Sequence, residues 1–477
     1  MAKVVLIDSP AWFLSDPRTY FNLGIVYLAS ILRNAGHEVK LMFAHEVTAW
    51  DATHKRMVVH PEWMPECDYL GVSSTTPQIQ WASEMAAVWP AGCKILGGTH
   101  ATYIMNGPYA EYKQPKYFRG FDYVMCGECE ESLLQFIQQG PDGVPGCWQV
   151  GSGEMIPMSG VRTPPLPDVT KMPLPAFDML DGRLPQLTLR HDGNVKGRTT
   201  AFLMSSRGCP YDCAFCADAR TVIRDHDMRQ VEDQFSCLAS MGVTAIRFND
   251  DTFNVKKQRS MDVVDIASDY GILWRATVRA NPNLCTKELF NHYRSKGCRE
   301  LQFGVEHASE SVLRNMTKRT TPADNEYAIK QAQDCGMAAH AFLIIGFPGE
   351  TLESIDEMRE WVLRVRPDSV AVHMFQPLPG SEVWSNPSKF GVKIREANLN
   401  FSNMWEFALD DEDLELSIEL PTISRRDLAK AHRELAALFR SIRRDGAGAP
   451  VQTIAEGESM QFLKPTAALQ PEVTSAD

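Results

Sequence analysis

The chain has 477 residues, 44% hydrophobic and 23% charged, which places it among folded globular proteins and outside the disordered and fibrous classes. Its net charge of −12, with no basic stripe in view, argues against nucleic acid as a partner, because phosphate binding rests on clustered Lys and Arg. No run approaches the roughly 18 apolar residues of a membrane span, the start MAKVVLIDSP carries no basic leader, and the expected location is the cytoplasm.

Length alone predicts two or three domains. KVVLID (3–8) and HEVKLMF (37–43) read as strands around a helical pattern from Leu23 to Asn34, which ends at the C-cap pair Ala35-Gly36. YLGVSS (69–74), KILGGTH (94–100) and DYVMCGE (122–128) continue the alternation. Strand and helix in turn predict a Rossmann-like, doubly wound parallel α/β sheet over residues 1–140, with ligands outside the carboxyl ends of its strands.

Residues 141–198 become Pro- and Gly-rich, as in TPPLPDVTKMPLPAFDML (163–180), and read as a linker. The alternation then restarts with TAFLMSS (200–206), VTAIRFN (243–249), ILWRATV (272–278), ELQFGVE (300–306), HAFLIIG (340–346) and SVAVHMF (369–375). Helical patterns separate them, for example DNEYAIKQAQDCG (324–336) and SIDEMREWVLRV (354–365). Six βα units predict a partial (βα)6 barrel over residues 199–385, whose chemistry gathers at the carboxyl ends of the strands. Residues 386–445 form a helical C-terminal region that includes an amphipathic helix at 424–444. The tail 446–477 has little periodicity and is expected to be mobile.

Most of the twelve cysteines are scattered singly and read as buried small hydrophobes. The exception is SSRGCPYDCAFC (205–216), a C-x3-C-x2-C set in the loop after the first barrel strand. Cys209, Cys213 and Cys216 on one tight loop are suited to three irons of a [4Fe-4S] cubane, which leaves the fourth iron open for an external ligand. Gly208, Pro210 and Asp212 mark this segment as a loop rather than a core.

With this spacing in that place, the sequence resembles the radical S-adenosylmethionine (SAM) superfamily. The resemblance implies that SAM chelates the open iron and is cleaved reductively to a 5'-deoxyadenosyl radical. It extends to FNDDTFN (248–254), FGVEHAS (303–309), IIGFPGET (344–351) and QPLPGSEVW (376–384). By position it implies that Phe215 packs near the adenine and that Glu306 meets the ribose or amino group of SAM. Asp250 and Asp251 are open between substrate binding and capping of the following segment.

A Rossmann-like domain ahead of such a barrel resembles the cobalamin-binding class of the superfamily, over most of residues 1–440. NLGIVYLASILRNAGHEV (22–39), GGTHAT (97–102) and DYVMCGECEESL (122–133) carry this likeness. It implies cobalamin near Gly97 and Gly98, where glycine lets backbone approach a planar cofactor. The chain lacks a D-x-H-x-x-G motif, so the cobalt ligand is open, with His100 a candidate beside its reading as a structural residue. Cys126 and Cys129 make a C-x2-C pair with only Cys147 nearby, short of a metal site.

The leading expectation is therefore cobalamin-dependent methylation of an unactivated carbon in a small-molecule or natural-product substrate, with flavodoxin or ferredoxin as the kind of electron donor implied. A second keeps the radical but not the methyl transfer, giving dehydration, epimerisation or rearrangement. A third is a corrinoid or iron-sulfur binding protein without turnover.

Overall fold

A computed structural model of the protein describes residues 1–9, 19–51, 56–180, 182–187, 189, 197–394 and 418–442; the tail 446–477 lies outside them. The chain begins with β1 (Lys3–Asp8), α1 (Leu23–Asn34) and β2 (Glu38–Met42). Asn22 caps α1 by accepting from the Gly24 amide, and the buried face Leu23, Ile25, Val26, Tyr27, Ala29 and Leu32 follows helical spacing. Gly36, at φ +86°, takes the left-handed turn that ends it.

A small ribbon of β3 (Thr48–Asp51) and β4 (Arg56–Val59) precedes β5 (Cys67–Ser73), α2 (Ile79–Val88), β6 (Ala91–Gly97), α3 (Thr99–Asn106), β7 (Tyr123–Met125) and α4 (Glu130–Gln139). β1, β2, β5, β6 and β7 pair in parallel, in the order β2-β1-β5-β6-β7. The order reverses between β1 and β5, which makes the carboxyl ends of these strands and of β6 the natural ligand edge. The sheet then continues antiparallel through β8 (Cys147–Val150) and β9 (Met155–Pro157), inside the segment expected to be a linker. Strands of four and three residues between glycine turns carry too short an alternation to read from sequence.

β10 (Gln186–Leu187), also in that segment, pairs antiparallel with β11 (Arg198–Leu203) at the edge of the second sheet. β12 (Ser206–Arg207) and β13 (Arg224–Asp225) form a two-stranded clasp at the base of the cysteine loop. The second sheet runs β10-β11-β14-β15-β16-β17-β18, with β14 (Ala245–Phe248), β15 (Leu273–Val278), β16 (Cys298–Glu306), β17 (Ala338–Ile345) and β18 (Ser369–Met374). From β11 onward all six strands are parallel, and β18 does not return to β11, so this is an open half-barrel.

Helices α5 (Met228–Ser240), α6 (Lys257–Asp269), α7 (Lys287–Ser295), α8 (Glu310–Asn315), α9 (Pro322–Asp334) and α10 (Leu352–Val365) connect these strands. Capping boxes at Asp227, Thr321 and Thr351 start α5, α9 and α10. After the short α11 (Glu382–Ser385), α12 (Arg425–Ile442) packs on the far edge, where His432 Nε2 lies 3.3 Å from the Val372 carbonyl of β18. Among the described residues no helix is long and apolar enough to cross a membrane.

The two sheets share one continuous apolar core, which runs from Val4, Leu6 and Phe21 through Phe202, Phe235 and Trp274 to Leu435. Tyr20 and Phe21, just ahead of α1, set their rings edge-on to Phe202 of β11, at 5.2 and 4.8 Å. Beside this contact Arg207 of the clasp bonds Glu128 and Glu130 of the first half, the latter at 2.6 Å, and Arg224 also meets Glu128. Glu130 is only 7% exposed, so solvent would do little to replace its partner. Arg207→Ala is therefore expected to cost about 3–5 kcal/mol, the range for stripping a buried carboxylate of its counter-charge. Urea unfolding checks this, with a loss below about 1 kcal/mol counting against it.

Candidate active site at the cysteine loop

The loop that begins at Ser205 leaves the carboxyl end of β11 and is held from the neighbouring strand. Asp250, just past β14, accepts from the Ser205 amide at 2.8 Å, the Ser205 hydroxyl at 2.7 Å and the Ser206 hydroxyl at 2.6 Å. Asp251 accepts from the Gly208 amide at 2.8 Å, and the Thr252 hydroxyl lies 3.6 Å from Cys209 Sγ. Both aspartates thus hold the loop one strand away rather than the segment that follows them. Burial pushes both carboxyls up, Asp251 to about 6 with Asp218 adding to the effect.

Gly208 sits at φ +96°, where a Cβ would stand 2.2 Å from the Val222 carbonyl oxygen, so only glycine fits. The far side of the loop closes on itself: the Cys209 amide donates to Thr221 Oγ1 at 2.7 Å, and the Thr221 amide to the Cys209 carbonyl at 2.9 Å. Its tip docks on the barrel through Ala214, whose amide donates to the Met316 carbonyl at 2.9 Å and whose carbonyl accepts from the Val383 amide at 3.2 Å.

Cys213 is buried, and Arg279 Nη1 donates to its sulfur at 3.6 Å while the guanidinium stacks 3.8 Å over Tyr211. Sequence reasoning missed Arg279, which only the fold carries from the end of β15 to this loop. Its Nη2 is buried without a hydrogen-bond partner, and it lines a cavity of about 390 Å³ with Tyr211, Asp212, Arg220, Asn281 and Arg319. Burial raises the Cys216 thiol to about 12. Among the described residues no three His, Cys, Asp or Glu side chains converge on a single ion. A cubane asks for something wider, one thiolate on each of three irons. Three thiols on one anchored loop, one of them against a guanidinium that stabilises anionic sulfur, fit that group.

Glu306 ends β16 in the left-handed region, at φ +63°, after a register shift between Gly304 and Glu306 in the pairing with β17. Its Oε1 accepts from Lys318 Nζ at 2.7 Å, and that ammonium lies 5.8 Å from the Phe215 ring centre. Lys318, another residue that no motif singled out, thus brings Glu306 and Phe215 into one group beside Cys216. The next residue, His307, accepts from the Ser309 amide at Nδ1, 2.9 Å away, which leaves Nε2–H to donate to Glu350 Oε1 at 2.7 Å. Both side chains are fully enclosed, and Glu350 also accepts from the Gly346 amide, tying the end of β16 to the loop after β17.

The ligand edge of the first sheet faces the same loop. Gly98 is at φ +93°, and a Cβ there would stand 2.6 Å from the Ser74 carbonyl oxygen, whereas a Cβ on Gly97 would meet only Val72 O, at 3.9 Å. His100 is fully buried, its Nδ1 lying 3.2 Å from Thr76 Oγ1 and its amide donating to Ser74 O; burial holds the ring neutral, down to about 3. One turn on, the Tyr103 hydroxyl of α3 bonds Asp218, two residues past Cys216. Cys126 Sγ lies 3.7 Å from the Ala101 carbonyl and Cys129 Sγ 3.3 Å from that of Gly127; burial keeps both protonated, as donors.

Residues 203–362 match the Radical SAM superfamily. The chain is 28% identical over 381 residues, 76% of its own length and 77% of the relative's, to the uncharacterized methyltransferase PH0819 of Pyrococcus horikoshii. It is 24% identical over 374 residues to the anaerobic magnesium-protoporphyrin IX monomethyl ester cyclase of Cereibacter sphaeroides, covering 74% of this chain and 58% of that one. Its fold is similar to that of the radical S-adenosylmethionine methyltransferase TsrM from Kitasatospora setae, solved with cobalamin and a [4Fe-4S] cluster bound. The TM-score is 0.64 at 14% identity, over 91% of this chain and 90% of that one.

Asp250→Ala removes the acceptor of the Ser205 amide and of both hydroxyls at once. The expected result is faster amide hydrogen exchange at residues 205–208, by tenfold or more, with the α5–α10 helices unaffected. Exchange at the wild-type rate would show that the loop is anchored without it.

Proposed function

We propose that this radical SAM enzyme, whose family domain spans residues 203–362, methylates an unactivated carbon of a small-molecule or natural-product substrate with cobalamin as methyl carrier. The observation that carries the reading is the contact between the two halves. The Tyr103–Asp218 bond and the Glu128–Arg207 pair hold the ligand edge of a Rossmann-like sheet against a cysteine loop, so two cofactors would share one enclosed space. Similarity in fold to TsrM over nine-tenths of both chains supports the same arrangement.

In this reading Cys209, Cys213 and Cys216 ligate the [4Fe-4S] cluster, and Arg279 steadies the Cys213 sulfur. When bound, the cluster supplies the electron for reductive cleavage of SAM, and cobalamin supplies the methyl group. Phe215 packs against SAM, and Glu306 offers it Oε2 while Lys318 holds Oε1. Gly97 and Gly98 keep the first sheet's edge low enough for a planar macrocycle. His100 supports that edge from within the core, through Thr76 and Ser74. Arg220 and Arg319 beside the loop share the carboxylate of Asp212, and with Arg279 they leave an excess of positive charge that suits an acidic electron donor such as flavodoxin or ferredoxin. Twelve free cysteines suit the reducing cytoplasm as the setting.

The cyclase among the relatives favours a second reading, radical chemistry without methyl transfer. Product stoichiometry separates the two. A methyltransferase of this kind uses one SAM for the radical and another to recharge the methyl carrier. Reconstituted protein is expected to release 5'-deoxyadenosine and S-adenosylhomocysteine in about equal amounts, with product heavier by a methylene and turnover dependent on added cobalamin. Turnover without corrinoid and without S-adenosylhomocysteine would leave the second reading in place. Glu306→Gln keeps a bond to Lys318 but removes the charge that SAM would meet. SAM affinity should fall roughly ten- to a hundredfold, the effect of losing a charged hydrogen bond, with iron content unchanged by direct assay.

A further inference from the structure

The outer face of the half-barrel is apolar: the Phe248 ring lies 5.5 Å from that of Trp274 and 6.3 Å from that of Phe235, under the helices. Strand alternation therefore turns Arg247 to the opposite, concave face, together with its register partners Phe202 and Arg275. Arg275 is in turn in register with Glu300, so four neighbouring strands place Phe202, Arg247, Arg275 and Glu300 in one row. That row holds two guanidiniums and one carboxylate.

Glu300 is already engaged, by Arg275 Nη1 at 3.7 Å and by Gln302 Nε2 at 3.0 Å. Arg247 has no such partner: among the described residues no hydrogen bond or ion pair reaches it. Its neighbours are the Phe202 ring, 5.9 Å from the guanidinium carbon, the Tyr20 phenol, Arg275 of the same charge, and Glu300, whose one carboxylate acts on both guanidiniums. Burial and Arg275 hold it down at about 10. Nearby, two polar atoms are buried without a hydrogen-bond partner, Arg275 Nε and Gln302 Oε1, the latter on a residue only 7% exposed. A buried cation beside a second cation destabilises a fold unless an anion neutralises it, and such costs persist where function uses them.

We propose that this floor binds an oxyanion of the substrate, a phosphate or a carboxylate, between Arg247 and Arg275, so that the radical chemistry acts on an anionic small molecule. The planar guanidinium matches either group by paired hydrogen bonds. Gln302 Oε1 is placed to accept from a hydroxyl next to the anion. The inference rests on the reading of the half-barrel as the substrate site, but its test needs no turnover.

Inorganic phosphate is the probe, titrated calorimetrically into cluster-loaded protein with and without saturating SAM. Wild-type protein is expected to bind about one phosphate per chain, with affinity unchanged within twofold by SAM. Arg247→Met should weaken phosphate at least tenfold, Arg247→Lys less than the methionine variant, and both should retain wild-type iron content. In phosphate-free buffer Arg247→Met should melt at or above the wild-type temperature, because it removes an unneutralised charge. No phosphate binding by the wild type, unchanged affinity in Arg247→Met, or displacement of phosphate by SAM would each overturn the proposal. A lower melting temperature for Arg247→Met would do the same, by making the guanidinium a structural charge. Reductive cleavage of SAM, assayed separately, stands or falls independently of all four results.

Discussion

The cysteine loop has little regular structure of its own, and its shape depends on Asp250 and Asp251 across the β11–β14 strand pair. In a parallel sheet the carboxyl ends of neighbouring strands lie side by side, so a residue just past one strand can hold the loop leaving the next. Asp250 engages an amide and two hydroxyls at the root, and Asp251 the amide of Gly208, where the chain turns through a conformation only glycine adopts without a clash. Two acceptors and one glycine fix where Cys209 starts, and the Thr221 and Ala214 contacts fix how the loop returns. Pre-organisation of this kind lets a cluster meet ligands already in place.

The same economy recurs at the fourth strand. A register shift and a left-handed residue turn Glu306 toward Lys318 and Phe215, and the enclosed His307–Glu350 pair holds the adjoining backbone. The histidine is a hydrogen-bond bridge here: an amide donates to Nδ1 and Nε2–H donates to a carboxylate, so its tautomer is set. Between the halves, a shared apolar core and the Arg207 network do for whole sheets what the aspartates do for the loop. The helix that follows the glycine edge of the first sheet meets the segment after the cysteine loop of the second through the Tyr103–Asp218 bond.

What the sequence determined by itself follows from local rules. The alternation of apolar strands with helical patterns specified the parallel strands of both sheets, and the Ala35-Gly36 pair marked where α1 ends. Three cysteines on one loop were legible because their spacing is contiguous in the chain. The tertiary structure decided what depends on distance in sequence. Arg279 reaches Cys213 across 66 positions and Asp250 reaches Ser205 across 45, and nothing in either segment names the other. β8, β9 and β10 were illegible because such short strands exist only through their partners. His100, read from its motif as a possible ligand, lies enclosed and bonded to Thr76, a fact of burial that no local pattern carries. The charge on Arg247 is of the same kind. A basic residue in an apolar strand looks ordinary, and only register with Arg275, with the single carboxylate of Glu300 set against two guanidiniums, gives it meaning, because electrostatic balance is a property of neighbours in space.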